Sequence, residues 1–222
     1  MSGNQGIRII VISFLFVLNF FPGRCSAQMI DSIRLSFHQK AQFVIAFDSR
    51  NSFIGDNLAD ILGAKLGVEF GSKFSVGLSA HLMNEADSHF YKTFTVLSPD
   101  NTPVVVQAHL QLFYIAYYAE FVFHSSQYWK FSVPLQLGFG ESNYLYSYNF
   151  LEKVNDRHLI ITYEPIIAGE YKLIQWLSLT GEIGYRFLLI KNPAVPENFN
   201  SPTFSIGISI AYLELYKLFV RH

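Results

Sequence analysis

The chain has 222 residues, room for one domain with a full core or for a single all-β barrel. Half of it is hydrophobic and only 15% is charged, against roughly 25% in an ordinary soluble domain, so a water-facing surface would be hard to clothe. With 16 basic against 17 acidic residues there is no electrostatic footprint for nucleic acid, and none is expected as a partner.

The N-terminus reads as an export signal. Arg8 precedes an apolar run from Ile9 to Phe21, and Pro22, Gly23, Ser26 and Ala27 follow it. A positive start, a short greasy core and a small-residue site predict a signal peptide over residues 1–27, cleaved after Ala27. The run is shorter than the roughly 20 residues of a spanning helix. Arg24, just before Cys25, stands where lipid modification of that cysteine needs Gly or Ala. Cys25 is the sole cysteine and leaves with the signal, so neither a disulfide framework nor a thiol nucleophile is expected. Residues 28–40 are expected to form a short periplasmic segment, in which the alternating "SIRLSF" (Ser32 to Phe37) extends the first strand.

From residue 41 the apolar period is two, again and again. Leu62, Ala64, Leu66, Val68 and Phe70 share one face, with Gly63, Lys65, Gly67 and Glu69 on the other. The same alternation runs through Phe74 to Leu82, Phe131 to Phe139, Leu177 to Leu189 and Phe204 to Tyr212. Strands at roughly 41–50, 103–123 and 158–173 complete a set of eight. Within 103–123 the apolar parity changes near Leu112 and Phe113, which signals a bulge or a change of environment. Pro134 and Pro165 fall inside strands, and bulges or strand ends are expected there.

The connections alternate in length. Gly71 to Lys73, His124 to Tyr128 and Leu173 to Trp176 are short, whereas 51–60, 84–102, 141–157 and 191–203 are long and rich in Asn, Asp and Pro. Short turns at one end and long loops at the other are the pattern of an up-and-down membrane barrel. The alternative for the long joins is that the strands run on beyond the membrane. Tyr128, Trp129, Trp176 and Tyr216 gather at the short-turn rim as an aromatic girdle.

Glycine decides which face is inside. Gly63, Gly67, Gly77, Gly138, Gly140, Gly184 and Gly207 all lie on the polar face, where they would weaken a water-facing strand but make room in a narrow lumen. The polar face therefore fills the interior. Lys65, Glu69, Glu120, Glu164, Glu182 and Arg186 form its expected polar network, with Glu170, Lys172, His81, His109, Gln107 and Gln136 on the same face. Buried charges need partners, and Lys65, Glu164, Glu182 and Arg186 are expected to pair at or above mid-height.

These features resemble the small outer-membrane β-barrels of the OmpA/OmpX-like class. The resemblance covers residues 41–222 and is one of architecture, with no diagnostic short motif. It implies an all-β, eight-stranded antiparallel up-and-down transmembrane β-barrel in the outer membrane. It also implies outer-membrane lipid and the barrel assembly machinery as partners, and an extracellular ligand as a further partner of the long loops. Members are structural, adhesive or immune-interacting proteins, and a few are enzymes. The last strand of such proteins usually ends in an aromatic residue, whereas here Val220, Arg221 and His222 follow Phe219.

No enzyme activity and no cofactor are expected. His124 and Ser126 match the His-x-Ser spacing of lipid A deacylases, the enzymatic alternative, but sit at a short turn, the wrong end for that chemistry. His81 and His109 lack a third ligand for a metal. Glu164 and Glu182 have cations beside them and no cleft, unlike a glycosidase pair. The remaining rival is a soluble, exported lipocalin-like barrel that holds a hydrophobic ligand.

Overall fold

A computed structural model describes residues 31–54, 57–84, 91–97, 101–148, 151–190, 195 and 197–220. The expected signal over 1–27 lies outside the described residues.

Among the described residues nine strands form: β1 (Ala41–Ile54), β2 (Asn57–Phe70), β3 (Phe74–Met83), β4 (Tyr91–Leu97), β5 (Pro103–Ser125), β6 (Trp129–Tyr148), β7 (Leu151–Lys172), β8 (Leu177–Ile190) and β9 (Ser201–Ala211). All pairings are antiparallel, and β1 pairs with both β2 and β9. β3 lies against Phe113–Phe121 of β5, while β4 lies against Pro103–His109 of the same strand. So β3 and β4 are two parts of one stave, and the sheet is a closed, eight-stranded up-and-down barrel.

The register fixes its shape. From Ala41 the paired residues run through Phe70, Phe74 and Phe121 to Val133. Continuity between the Ser132–Ala168 and Leu135–Pro165 pairs puts Ile167 opposite Val133, and the path goes on through Ile183 and Phe204. It returns to β1 at Asn51, ten residues beyond its start (51 − 41). A stagger of this size tilts the strands by about 40° and leaves an interior just wide enough for side chains to fill.

Several expected boundaries differ. Residues 31–36 are helical rather than strand, as their neighbour Phe37 leaves the ladder to pack on Phe70 and Phe74 at 5.0 and 5.5 Å. The joins 51–60 and 141–157 are mostly strand, and 84–102 contains β4. The strands do run on: β5, β6 and β7 have 23, 20 and 22 residues, about twice the 9–11 that cross a bilayer. The last strand ends at Ala211, and Tyr212–Val220 is a helix. Pro134 and Pro165 cause neither a bulge nor a strand end. The β6–β7 ladder only skips Val133 and Pro134 and resumes in the same register, while the register shifts fall at Val122/His124, Ser142/Tyr144 and Ile161/Thr162.

The change of parity at Leu112 and Phe113 is one of environment. Between Ala108 and Val122 the β5–β6 register is unbroken, so even-numbered residues face inward throughout. Toward the short turn, the outward Phe113, Ile115, Tyr117 and Phe123 are large, apolar and exposed. Toward the long end, the inward Val106, Ala108, Leu110 and Leu112 are apolar and buried, while outward Gln107 is exposed. Apart from the outward, exposed Val105, one half has its grease outside and the other has it inside.

The inner grease is a packed cluster that includes Ile54, Ile61, Met83, Leu110, Leu112, Tyr144 and Ile160. Val195 and Phe199, from the segment between β8 and β9, are buried in it as a cap. Lys92 ties that cap down through an ion pair with Glu197 and stacks over the Tyr144 ring at 5.3 Å. Burial alone would raise the Glu197 carboxyl, yet the Lys92 hydrogen bond helps hold it below the usual carboxylate range.

The two faces make opposite demands on substitution. Ile183→Lys, at an outward position of the apolar belt, should lower stability in lipid vesicles by about 2–4 kcal/mol. Gln107→Lys should stay within about 0.5 kcal/mol of the parent. Urea unfolding of the vesicle-bound protein measures both.

Candidate functional site

The candidate site is the lumen. Because strand side chains alternate, each inward position sits at a height set by the register, and the charges fall into two groups.

The lower group lies near the short turns. Lys130 bridges Glu69 at 2.8 Å and Glu170 at 2.6 Å. Together with Glu120, Asp48, Lys65 and Glu182 these residues line a cavity of about 50 Å³, enough for a few waters. The glycines beside Tyr118, which also lines it, are steric. A Cβ on Gly67 or Gly77 would stand within 3 Å of the Tyr118 side chain, so these positions stay empty for that ring.

The middle group closes the lumen. Arg50 pairs with Glu164 and, at 3.2 Å, with Glu182, while its Nε lies 3.6 Å from Asp48. Lys65 pairs with the other oxygen of Glu182, while Ser205 Oγ donates at 3.3 Å to the oxygen that Arg50 holds. Arg186 Nε donates to Glu164 Oε1 at 2.9 Å, and the Tyr114 hydroxyl donates to the same oxygen at 2.8 Å. Arg186 lies over the Tyr114 ring at 5.7 Å, and His81 stacks on that ring at 4.6 Å. Three cations thus meet three carboxylates, and Arg50, Glu164 and Arg186 are 0–1% exposed. Charges this deep are tolerable only when paired and hydrogen-bonded, as Glu164 and Glu182 are, whereas both Asp48 oxygens and the two Arg186 Nη atoms find no hydrogen-bond partner among the described residues. Gly138 and Gly140 keep space beside Tyr114, where an added Cβ would meet that residue within 3 Å.

Of the residues expected in one network, Lys65, Glu164, Glu182 and Arg186 come together, but Arg50 is the hub that joins them. Glu69 and Glu120 belong to the lower group, gathered around Lys130. Neither Arg50 nor Lys130 was singled out in the sequence, although parity placed both inward: Arg50 follows Phe43 and Phe47 out of phase, and Lys130 precedes Phe131. His81 and Gln136 are buried in the lumen. His109 and Gln107 are not inside. They share the outward parity of β5 toward the long end, where Gln107 is exposed. Lys172 sits at the last β7–β8 pair, opposite Ser178.

At the rim, Trp129 packs on Tyr171 at 4.8 Å and Tyr128 on Tyr171 at 6.4 Å. Trp176 lies in the β7–β8 turn and its carbonyl accepts from the Ala211 N–H. Tyr216 is on the C-terminal helix rather than a strand. The Ser126 hydroxyl is engaged by the turn itself, accepting from the Trp129 N–H at 3.1 Å.

A closed eight-stranded barrel with an apolar outer belt and a filled polar lumen is the architecture of the small outer-membrane β-barrels. The fold is similar to that of Neisserial surface protein A (NspA), with a TM-score of 0.57 and 11% identity over 78% of this chain and 99% of that one. The N-terminal β-barrel domain of Pseudomonas aeruginosa OprF gives a TM-score of 0.46 at 11% identity, over 77% of this chain and 98% of that one. Ail, the attachment invasion locus protein of Yersinia pestis, gives 0.44 at 13%, over 77% and 96%. No protein-family model and no curated protein matches the sequence. At these identities the likeness is one of fold.

Removing one carboxylate from the middle group leaves two buried guanidinium groups short of a partner. Glu164→Gln should therefore destabilise the folded barrel by about 3–5 kcal/mol. Lys217→Ala, which breaks an exposed pair with Glu214, should cost less than about 1 kcal/mol. Urea-induced unfolding followed by tryptophan fluorescence compares them.

Proposed function

We propose that the protein is an outer-membrane barrel with a filled interior, non-enzymatic, serving a structural or surface-interaction role. The single observation that carries this is the sealed middle of the lumen. Arg50, Glu164, Arg186 and Tyr114 interlock across it, and a dry apolar cluster lies above them. The cavity near the short turns ends beneath this seal, so it supplies no path for solutes and no cleft for a substrate.

In this reading the segment 1–27 directs export, residues 28–40 stay on the periplasmic side, and the barrel assembly machinery inserts residues 41–222. Outer-membrane lipid meets the apolar belt. The extended halves of β4 to β7 stand above the lipid at the cell surface, with Thr93, Thr95 and Gln107 exposed on their outer face. They supply the surface on which an extracellular ligand would be met. Glu164 and Glu182 are held by shared cations and serve as structural acids, and His124 and Ser126 serve the β5–β6 turn.

Fractionation and gel mobility test the proposal. The protein should sediment with outer membranes, and its unheated band should migrate apart from the boiled one. In planar bilayers it should give no porin-sized conductance. Recovery in the soluble periplasmic fraction, or large stable channels, would refute it.

A further inference from the structure

The short-turn end carries apolar groups that the barrel ladder does not use. Both terminal segments described there are helical and lie outside the sheet. On the first, over residues 31–36, Leu35 is 65% exposed, and the adjoining Phe37 is 51% exposed even though it packs on Phe70 and Phe74. On the second, Tyr212–Val220, Tyr212 and Tyr216 are four residues apart and so share a face. Their rings stack at 6.4 Å and are 47% and 52% exposed. Glu214 and Lys217 pair with each other on the opposite side of that helix.

Neighbouring turns continue the pattern. Leu173 and Ile174 are exposed in the β7–β8 turn, as are Tyr128 and Trp129 at the β5–β6 turn. These groups ring the rim, under β2–β3, β5–β6, β7–β8 and β9, and continue directly from the apolar belt of the barrel wall. A collar of this size facing water would drive association. Two tyrosines on one side of a short helix, with a charged pair on the other, suit the headgroup boundary of a bilayer, as does an exposed leucine beside a phenylalanine on the first.

We propose that the two terminal helices are interfacial. They lie along the phospholipid headgroup boundary on the short-turn side, with Leu35, Phe37, Tyr212 and Tyr216 immersed, and their partner is the lipid surface itself. The C-terminal helix then takes over, past the last strand, the anchoring that the rim aromatics provide elsewhere. This rests on the outer-membrane reading above.

Depth-dependent quenching tests it on the full-length barrel. In a Cys25→Ser background, single cysteines replace Leu35, Tyr216, Ile183 or Gln107 and carry a fluorophore. The folded proteins, checked by heat-modifiable mobility, are placed in phosphatidylcholine vesicles containing nitroxide lipids labelled at the headgroup or deep in the acyl chain. Leu35→Cys and Tyr216→Cys should be quenched about twofold or more better by the headgroup label, as for groups seated 5–10 Å into the boundary. Ile183→Cys should prefer the deep label, and Gln107→Cys should respond to neither. If Ile183→Cys is quenched while both helix positions behave like Gln107→Cys, or like Ile183→Cys, the interfacial placement is wrong and the barrel stands. If Ile183→Cys is unquenched as well, the membrane reading fails and takes this proposal with it.

Discussion

Lipid offers no hydrogen-bond partner, and the structure depends on how the chain meets that constraint. Every strand inside a bilayer must find both its neighbours, so the seam between β1 and β9 is what allows the other pairings to exist. Closing eight strands with a ten-residue stagger then leaves an interior too narrow for an open channel but wide enough for side chains. The wall is apolar because it faces hydrocarbon. The interior is polar because the alternate residues have nowhere else to go.

The interior solves a second problem, that of holding charge in a low dielectric. Arg50 is shared by Glu164 and Glu182, Arg186 and Tyr114 complete Glu164, and Lys65 completes Glu182. Glu164 and Glu182 each have three donors, so neither relies on one partner alone, while Asp48 faces Arg50 at 3.6 Å. Glycines opposite Tyr114 and Tyr118 convert missing side chains into space for large ones, so the seal is steric as well as electrostatic. Above it the barrel changes character: β5 to β7 run on, and there an apolar cluster fills the inside.

Much of this was legible in the chain. The period of two showed where strands exist and which face meets lipid, because a half-apolar wall admits no other pattern. Their ends were harder to place. At Leu112 the outside of the barrel passes from lipid to water, and the equation of polar with inside reverses. Carrying that equation past the boundary put His109 and Gln107 in the lumen and turned the upper halves of long strands into loops. Arg50 and Lys130 escape notice for a local reason: one ends the strand expected at 41–50 and the other follows the β5–β6 turn, places where charge is usually solvated. The C-terminal helix left a trace in the four-residue spacing of Tyr212 and Tyr216, but it adjoins a run of period two that could equally continue as strand. Helix 31–36 gave no such trace, since "SIRLSF" alternates.

The central claim is that one continuous strand, β5, faces lipid on its outside below Leu112 and water above it, with its even-numbered residues sheltered throughout. A nitroxide scan from 105 to 123 in vesicles, reading oxygen against water-soluble nickel collisions, tests this most directly. The account predicts oxygen-dominated collisions at 113, 115, 117 and 123, nickel-dominated collisions at 105, 107 and 111, and low values for both at the even positions. Nickel dominance at 115 and 117, or free access of either reagent at 114 and 116, would contradict it.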